Sequence, residues 1–125
     1  FRKARGVDTG VVGEEHKRKS IGQQKTFGED VTNAATIIEA MMRLSQDVFS
    51  DLRSGSYVGA RTVSITVRFY DFQTISSAHT AKQPYTYSRQ IEQESVRLLL
   101  PFLDTRRNPA NKSVRLIGVR LEKLE

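Results

Sequence analysis

Cysteine is absent from the chain, which rules out disulfide bridges, thiolate zinc sites and cysteine nucleophiles and makes a reducing interior, by default the cytoplasm, the expectation. Long apolar runs are missing too. None approaches the roughly 20 residues needed to span a bilayer, and Phe1-Arg2-Lys3-Ala4-Arg5 lacks the apolar stretch of a signal peptide, so no membrane is expected among the partners. Histidine is scarce: His16 and His79 stand far apart, without carboxylates or thiols at ligand spacing. Gly6, Gly10 and Gly13 follow no strand and precede no helix opening with Lys-Ser/Thr, so they do not make a phosphate-cradling loop. Asp47 and Asp51 fall four apart on one helical face, where a solvated pair is the simplest reading. With no triad, carboxylate pair or metal set, no catalytic residue is assigned.

What remains is a basic chain of 125 residues, enough for one domain with a modest core. Twenty Lys plus Arg against fourteen Asp plus Glu give a formal charge of +6, a field that attracts polyanions. Charge alone does not separate a nucleic-acid binder from other basic domains. Phe1 in place of Met is read as the start of a piece of a longer protein.

Patterning supplies the elements. Residues 1–19 show no sustained periodicity and read as a linker. Ser20 to Phe27 alternates as a half-buried strand that Gly28-Glu29-Asp30 should end. Asp30, Thr32 or Asn33 can cap the helix that follows, whose stripe of Ala34, Ile37, Ile38, Met41, Leu44, Val48 and Leu52 runs to Ser54-Gly55. Arg61 to Tyr70 alternates Val63, Ile65, Val67 and Phe69 with polar residues, the signature of a strand. Asp71-Phe72 turns it into a weaker strand, Thr74 to Thr80, closed by Gln83-Pro84. A second helix is expected from Ser88 to Leu103, kinked or shortened by Pro101. A loop covers Asp104 to Lys112, and a last strand covers Ser113 to Leu121.

The order β-α-β-β-α-β predicts an α+β fold, a four-stranded sheet with two helices on one face. Ile21, Phe27, Ile37, Met41, Val48, Val63, Ile65, Val67, Leu98, Phe102, Ile117 and Val119 should share the core. The open face would carry Ser20, Gly22, Gln24 and Thr26, then Thr62, Ser64, Thr66 and Arg68, then Thr74, Ser76, Ala78 and Thr80, with Gly118 and Arg120. A sheet that stacks RNA bases needs aromatic rings on such a face, and this one has none. Small hydroxyls, glycines and cations suit close approach to a phosphodiester backbone.

Several segments resemble one family in one order. Arg18-Lys19-Ser20-Ile21-Gly22, then Lys25-Thr26-Phe27 and Asp30, is similar to the start of the little finger domain of Y-family translesion DNA polymerases of the DinB, or DNA polymerase IV, type. Thr62 to Phe69 with Asp71-Phe72, and Val114 to Leu121 containing Ile117-Gly118-Val119-Arg120, resemble its later strands. Arg5-Gly6-Val7-Asp8 resembles the end of the preceding thumb. The resemblance implies residues 1–17 as thumb end and tether and 18–125 as the little finger, lying open face first in the major groove of a primer-template duplex. It implies backbone contacts from Lys17, Arg18 and Lys19, from the open-face residues Ser20, Gly22, Gln24, Thr62, Ser64, Thr66, Arg68, Thr74, Ser76, Gly118 and Arg120, and from Arg115. Palm, fingers and thumb are its implied partners, together with a sliding clamp, although no clamp-binding peptide is legible before Glu125. Catalysis and magnesium belong to the palm, so this segment carries neither metal ligand nor cofactor. The other reading is a freestanding basic module that binds nucleic acid or an acidic protein.

Overall fold

The computed structural model describes residues 20–104, 106 and 108–125. Strand β1 covers Ser20–Val31, helix α1 Ala34–Ser54, β2 Ala60–Phe69, β3 Thr74–Tyr85, helix α2 Ser88–Leu99 and β4 Val114–Leu124. The sheet runs β1-β4-β2-β3 with every neighbouring pair antiparallel. The last strand therefore lies in the middle, and the C-terminal residues complete the sheet. All twelve residues expected in the core belong to one buried cluster under α1 and α2. Ile65, Val67 and Ile117 are wholly buried there, and burying such side chains contributes roughly 1.5–3 kcal/mol each.

Local chemistry sets the boundaries. Asn33 caps α1, its side-chain oxygen accepting from the Thr36 amide at 3.2 Å, which satisfies one of the amides a helix start leaves free. At the start of α2 the Gln90 side-chain oxygen accepts from the amides of Thr86 and Tyr87 at 2.8 and 3.1 Å.

Two boundaries differ from expectation, and at a third Pro101 shortens a helix as expected. Gly28-Glu29-Asp30 does not end β1: pairing with β4 runs to Thr26, bulges, and resumes at Val31 opposite Val114. Strand β3 continues through Pro84 to Tyr85, which pairs with Ala60; a proline is tolerated because β3 is an edge strand with one side unpaired. Helix α2 stops at Leu99, and Leu100–Leu103 turn as a 3-10 helix with Pro101 near its start, where a missing N-H is harmless. In the loop expected at Asp104 to Lys112, Asn108 is buried and acts as an organiser. Its amide nitrogen donates to the carbonyls of Phe102 and Lys112 at 3.2 and 3.0 Å, and its oxygen accepts from the Lys112 amide at 2.8 Å.

Candidate nucleic-acid interface

Strand register turns the open face into four rows. Ser20, Glu122, Thr62 and Thr80 stand opposite one another across β1, β4, β2 and β3; Gly22, Arg120, Ser64 and Ala78 form the second row. Gln24, Gly118, Thr66 and Ser76 form the third, and Thr26, Leu116, Arg68 and Thr74 the fourth. The structure thus brings together eleven of the residues named from sequence, Ser20, Gly22, Gln24, Thr62, Ser64, Thr66, Arg68, Thr74, Ser76, Gly118 and Arg120.

Within three of the rows, β2 and β3 are tied by their own side chains. The Thr62 and Thr80 hydroxyls are 2.8 Å apart, those of Thr66 and Ser76 3.4 Å, and Arg68 Nε donates to the Thr74 hydroxyl at 3.0 Å. Such pairs hold a hydroxyl in one orientation while its remaining lone pair or proton stays available at the exposed Thr74, Ser76 and Thr80. Thr62, expected among the backbone contacts, is instead buried at 4% exposure and acts through Thr80.

Over β1 and β4 the face is hollow. Gly22 and Gly118 leave no side chain between Gln24, Thr66 and Arg120, and the groove there measures about 520 Å³. A Cβ added at Gly22 would lie 3.2 Å from the Val119 carbonyl oxygen, so the strands approach closely there; at Gly118 the nearest atom would be Gln24 Cβ at 3.4 Å. Gly118 therefore keeps the hollow open more than it relieves a clash.

Arg115 is not in a row. Register passes from Leu116 directly to Val114 against β2, leaving Arg115 as an extra residue in a bulge. Its guanidinium lies 4.8 Å from the centroid of the Phe72 ring and 3.8 Å from Asp30 Oδ1. Lys17, Arg18 and Lys19 fall outside the described residues, as does the expected tether 1–17.

Sequence reading missed three features of this surface. Glu122 joins the first row because β4 continues past Leu121; the parity of Gly118 and Arg120, carried two residues further, points to it. Leu116 puts a mostly buried apolar side chain in the fourth row. Phe72, 64% exposed with φ 67°, closes the β2–β3 turn as its amide donates to the Phe69 carbonyl at 2.9 Å. Beside it Lys112 Nζ donates to Asp71 Oδ2 at 2.8 Å, and this hydrogen bond is the main cause holding the Asp71 carboxyl below its usual 3.8.

Charges along the interface are mostly paired. Arg120 Nη1 lies 3.6 Å from Glu122 Oε2, whereas Arg68 has no carboxylate partner among the described residues. Among those residues no three His, Cys, Asp or Glu are grouped to hold a metal ion, and no helix is long and apolar enough to cross a membrane.

Comparison with known proteins fits this geometry. The sequence profile of the impB/mucB/samB family C-terminal domain matches residues 18–125. DNA polymerase IV of Methanoculleus marisnigri is 35% identical over 122 residues, covering 98% of this chain and 32% of the relative. DNA polymerase IV of Streptococcus agalactiae serotype Ia is 32% identical over 125 residues, all of this chain and 33% of the relative. The chain thus spans about a third of the length of these relatives. A solved complex of the beta-clamp processivity factor with the little finger domain of PolIV shares the fold, with TM-score 0.66 and 19% identity over 85% of this chain and 89% of that one. A DinB family error-prone DNA polymerase from Sulfolobus solfataricus superposes with TM-score 0.69 at 16% identity, over 84% of this chain and 29% of that one. A profile matching nearly the whole chain, on a sheet of this shape, carries the assignment: the chain belongs to the impB/mucB/samB family of C-terminal domains, the little finger of Y-family polymerases of the DNA polymerase IV type.

Proposed function

We propose that the open face grips the backbones of a primer-template duplex in its major groove, while synthesis is performed by other domains of a longer polymerase. The observation that carries this reading is the make-up of the four rows: mostly glycines and hydroxyls with Arg68 and Arg120, a single acid at Glu122, and no aromatic ring. Small side chains let a phosphodiester come close, hydroxyls and cations are its donors, and nothing in the rows offers a stacking platform.

Dimensions support the same partner. Strands lie about 4.8 Å apart, so the outer strands of a four-stranded sheet are separated by about 14 Å. The major groove is about 12 Å wide. Residues on β1 and β3 are then spaced to approach opposite backbones while the central β4 and β2 lie over the groove.

In the whole protein, palm, fingers and thumb are the partners in cis, and the palm supplies magnesium and catalysis. Residues 1–17 serve as thumb end and tether, and Lys17, Arg18 and Lys19 add phosphate contacts beside Ser20. A sliding clamp is a further partner, suggested by the relative solved with its beta-clamp, and the setting is the cytoplasm. Tethering converts a weak grip into useful processivity by raising the local concentration of duplex.

Fluorescence anisotropy of this chain with duplexes of unrelated sequence, across a salt series, tests the reading. Contact with about four phosphates predicts a log-log slope of roughly minus 3.6, at about 0.9 per phosphate, and similar affinity for every duplex. Tighter binding to single strands, or a flat salt response, would favour a base-stacking or protein-binding module instead.

A further inference from the structure

One carboxylate stands on the face that is to receive phosphate. Among the described residues of the four rows Glu122 is the sole acid, between Ser20 and Thr62 in the first row and two positions along β4 from Arg120. Its Oε2 lies 3.6 Å from Arg120 Nη1, with both side chains well exposed. Arg120 in turn lines the hollow over Gly22 and Gly118.

We propose that Glu122 acts as an internal stand-in for phosphate, occupying Arg120 when no duplex is bound and competing with a backbone phosphate for it, so that it sets how tightly the open face holds DNA. This rests on the open face being a backbone grip. Carboxylate and phosphodiester both offer singly charged oxygen acceptors to a guanidinium, and Arg binds either in the same forked geometry. An exposed ion pair is weak, so the carboxylate is readily displaced, but its competition costs affinity at each encounter. Arg68 has no such competitor among the described residues: its Nε rests on the Thr74 hydroxyl. The hollow therefore holds a latched cation and the fourth row an unlatched one. A domain that must release and re-engage duplex at each translocation step gains from a grip limited in this way.

The test compares Glu122→Gln, Arg120→Ala, the double variant and Arg68→Ala by duplex anisotropy across a salt series, after thermal melts establish that each variant folds like the parent. Glu122→Gln is expected to tighten binding about two- to five-fold, the range an exposed pair allows. Its salt slope should steepen by up to about 0.9, since Arg120 then neutralises a phosphate without first giving up a carboxylate. In the Arg120→Ala background the Gln substitution should bring less than half of that gain. Unchanged or weaker binding by Glu122→Gln overturns the proposal, as does an equal gain with and without Arg120, which would reduce Glu122 to long-range repulsion. If Arg68→Ala still weakens binding in that case, the grip stands and only the latch falls. If neither Arg68 nor Glu122 affects affinity, the grip reading itself fails.

Discussion

The two faces of this sheet are built from the same strands and have opposite chemistry. On β2, Val63, Ile65, Val67 and Phe69 are sealed under the helices, while Thr62, Ser64, Thr66 and Arg68 alternate with them on the other side. The buried face fixes the register; the open face inherits it. Because side chains alternate strictly along a strand, a slip of one residue would exchange the two sets. Core packing thus positions the interface, and among the residues of the rows only Leu116 and Thr62 have buried side chains.

That contrast is broken most severely by exchanging adjacent residues of β2. Ile65→Asp should leave no cooperative thermal transition, because an unpaired charge in a wholly buried site costs more than a small domain's entire stability margin. Thr66→Asp, one position along and on the other face, should melt within about 1 kcal/mol of the parent yet lose duplex binding, since it sets a carboxylate in the third row. Circular dichroism melts and anisotropy on the two variants check this pair of outcomes.

Asn108 sharpens the comparison at the end of the core. It is buried with three hydrogen bonds to the backbone, so Asn108→Ala should cost about 1–3 kcal/mol by removing the partner of the Lys112 amide and carbonyl. Denaturant unfolding measures the loss. The affinity of the remaining folded protein for duplex should change little.

The smallest effect lies at the β2–β3 turn. Lys112 holds the Asp71 carboxyl below 3.8 through their hydrogen bond. A depressed carboxylate pKa stabilises the fold above the unfolded value, and that contribution disappears as pH falls through the folded value. An NMR titration should find the Asp71 midpoint below 3.8 in the parent and higher in Lys112→Ala. Melting near pH 7 should differ only slightly between the two, because the pair is exposed.

Period-two alternation made both faces of β2 and β4 legible in the sequence, and the helical stripes fell where their spacing puts them. Strand adjacency was not legible: nothing local to Val114–Leu124 says that it lies between β1 and β2, since that pairing joins segments distant in sequence. The bulges follow from the same pairing. Gly28-Glu29-Asp30 has the composition of a strand end, but Val31 finds a partner in Val114 and the strand goes on. Arg115 reads as part of an alternating strand and becomes an extra residue held by Phe72 and Asp30. Glu122 escaped notice because apolar periodicity fades at Leu121 while the ladder continues to Leu124.

The central claim is that the open face, and not the helical layer, meets the duplex backbone. Arg68 in the fourth row and Arg89 on α2 test it directly, for each is one cation removed from one side of the domain. Duplex anisotropy across a salt series is the measurement. The account predicts a slope shallower by about 0.9 for Arg68→Ala, the share of one phosphate, and an unchanged slope for Arg89→Ala. Equal slopes for the two variants, or a larger change for Arg89→Ala, would contradict it.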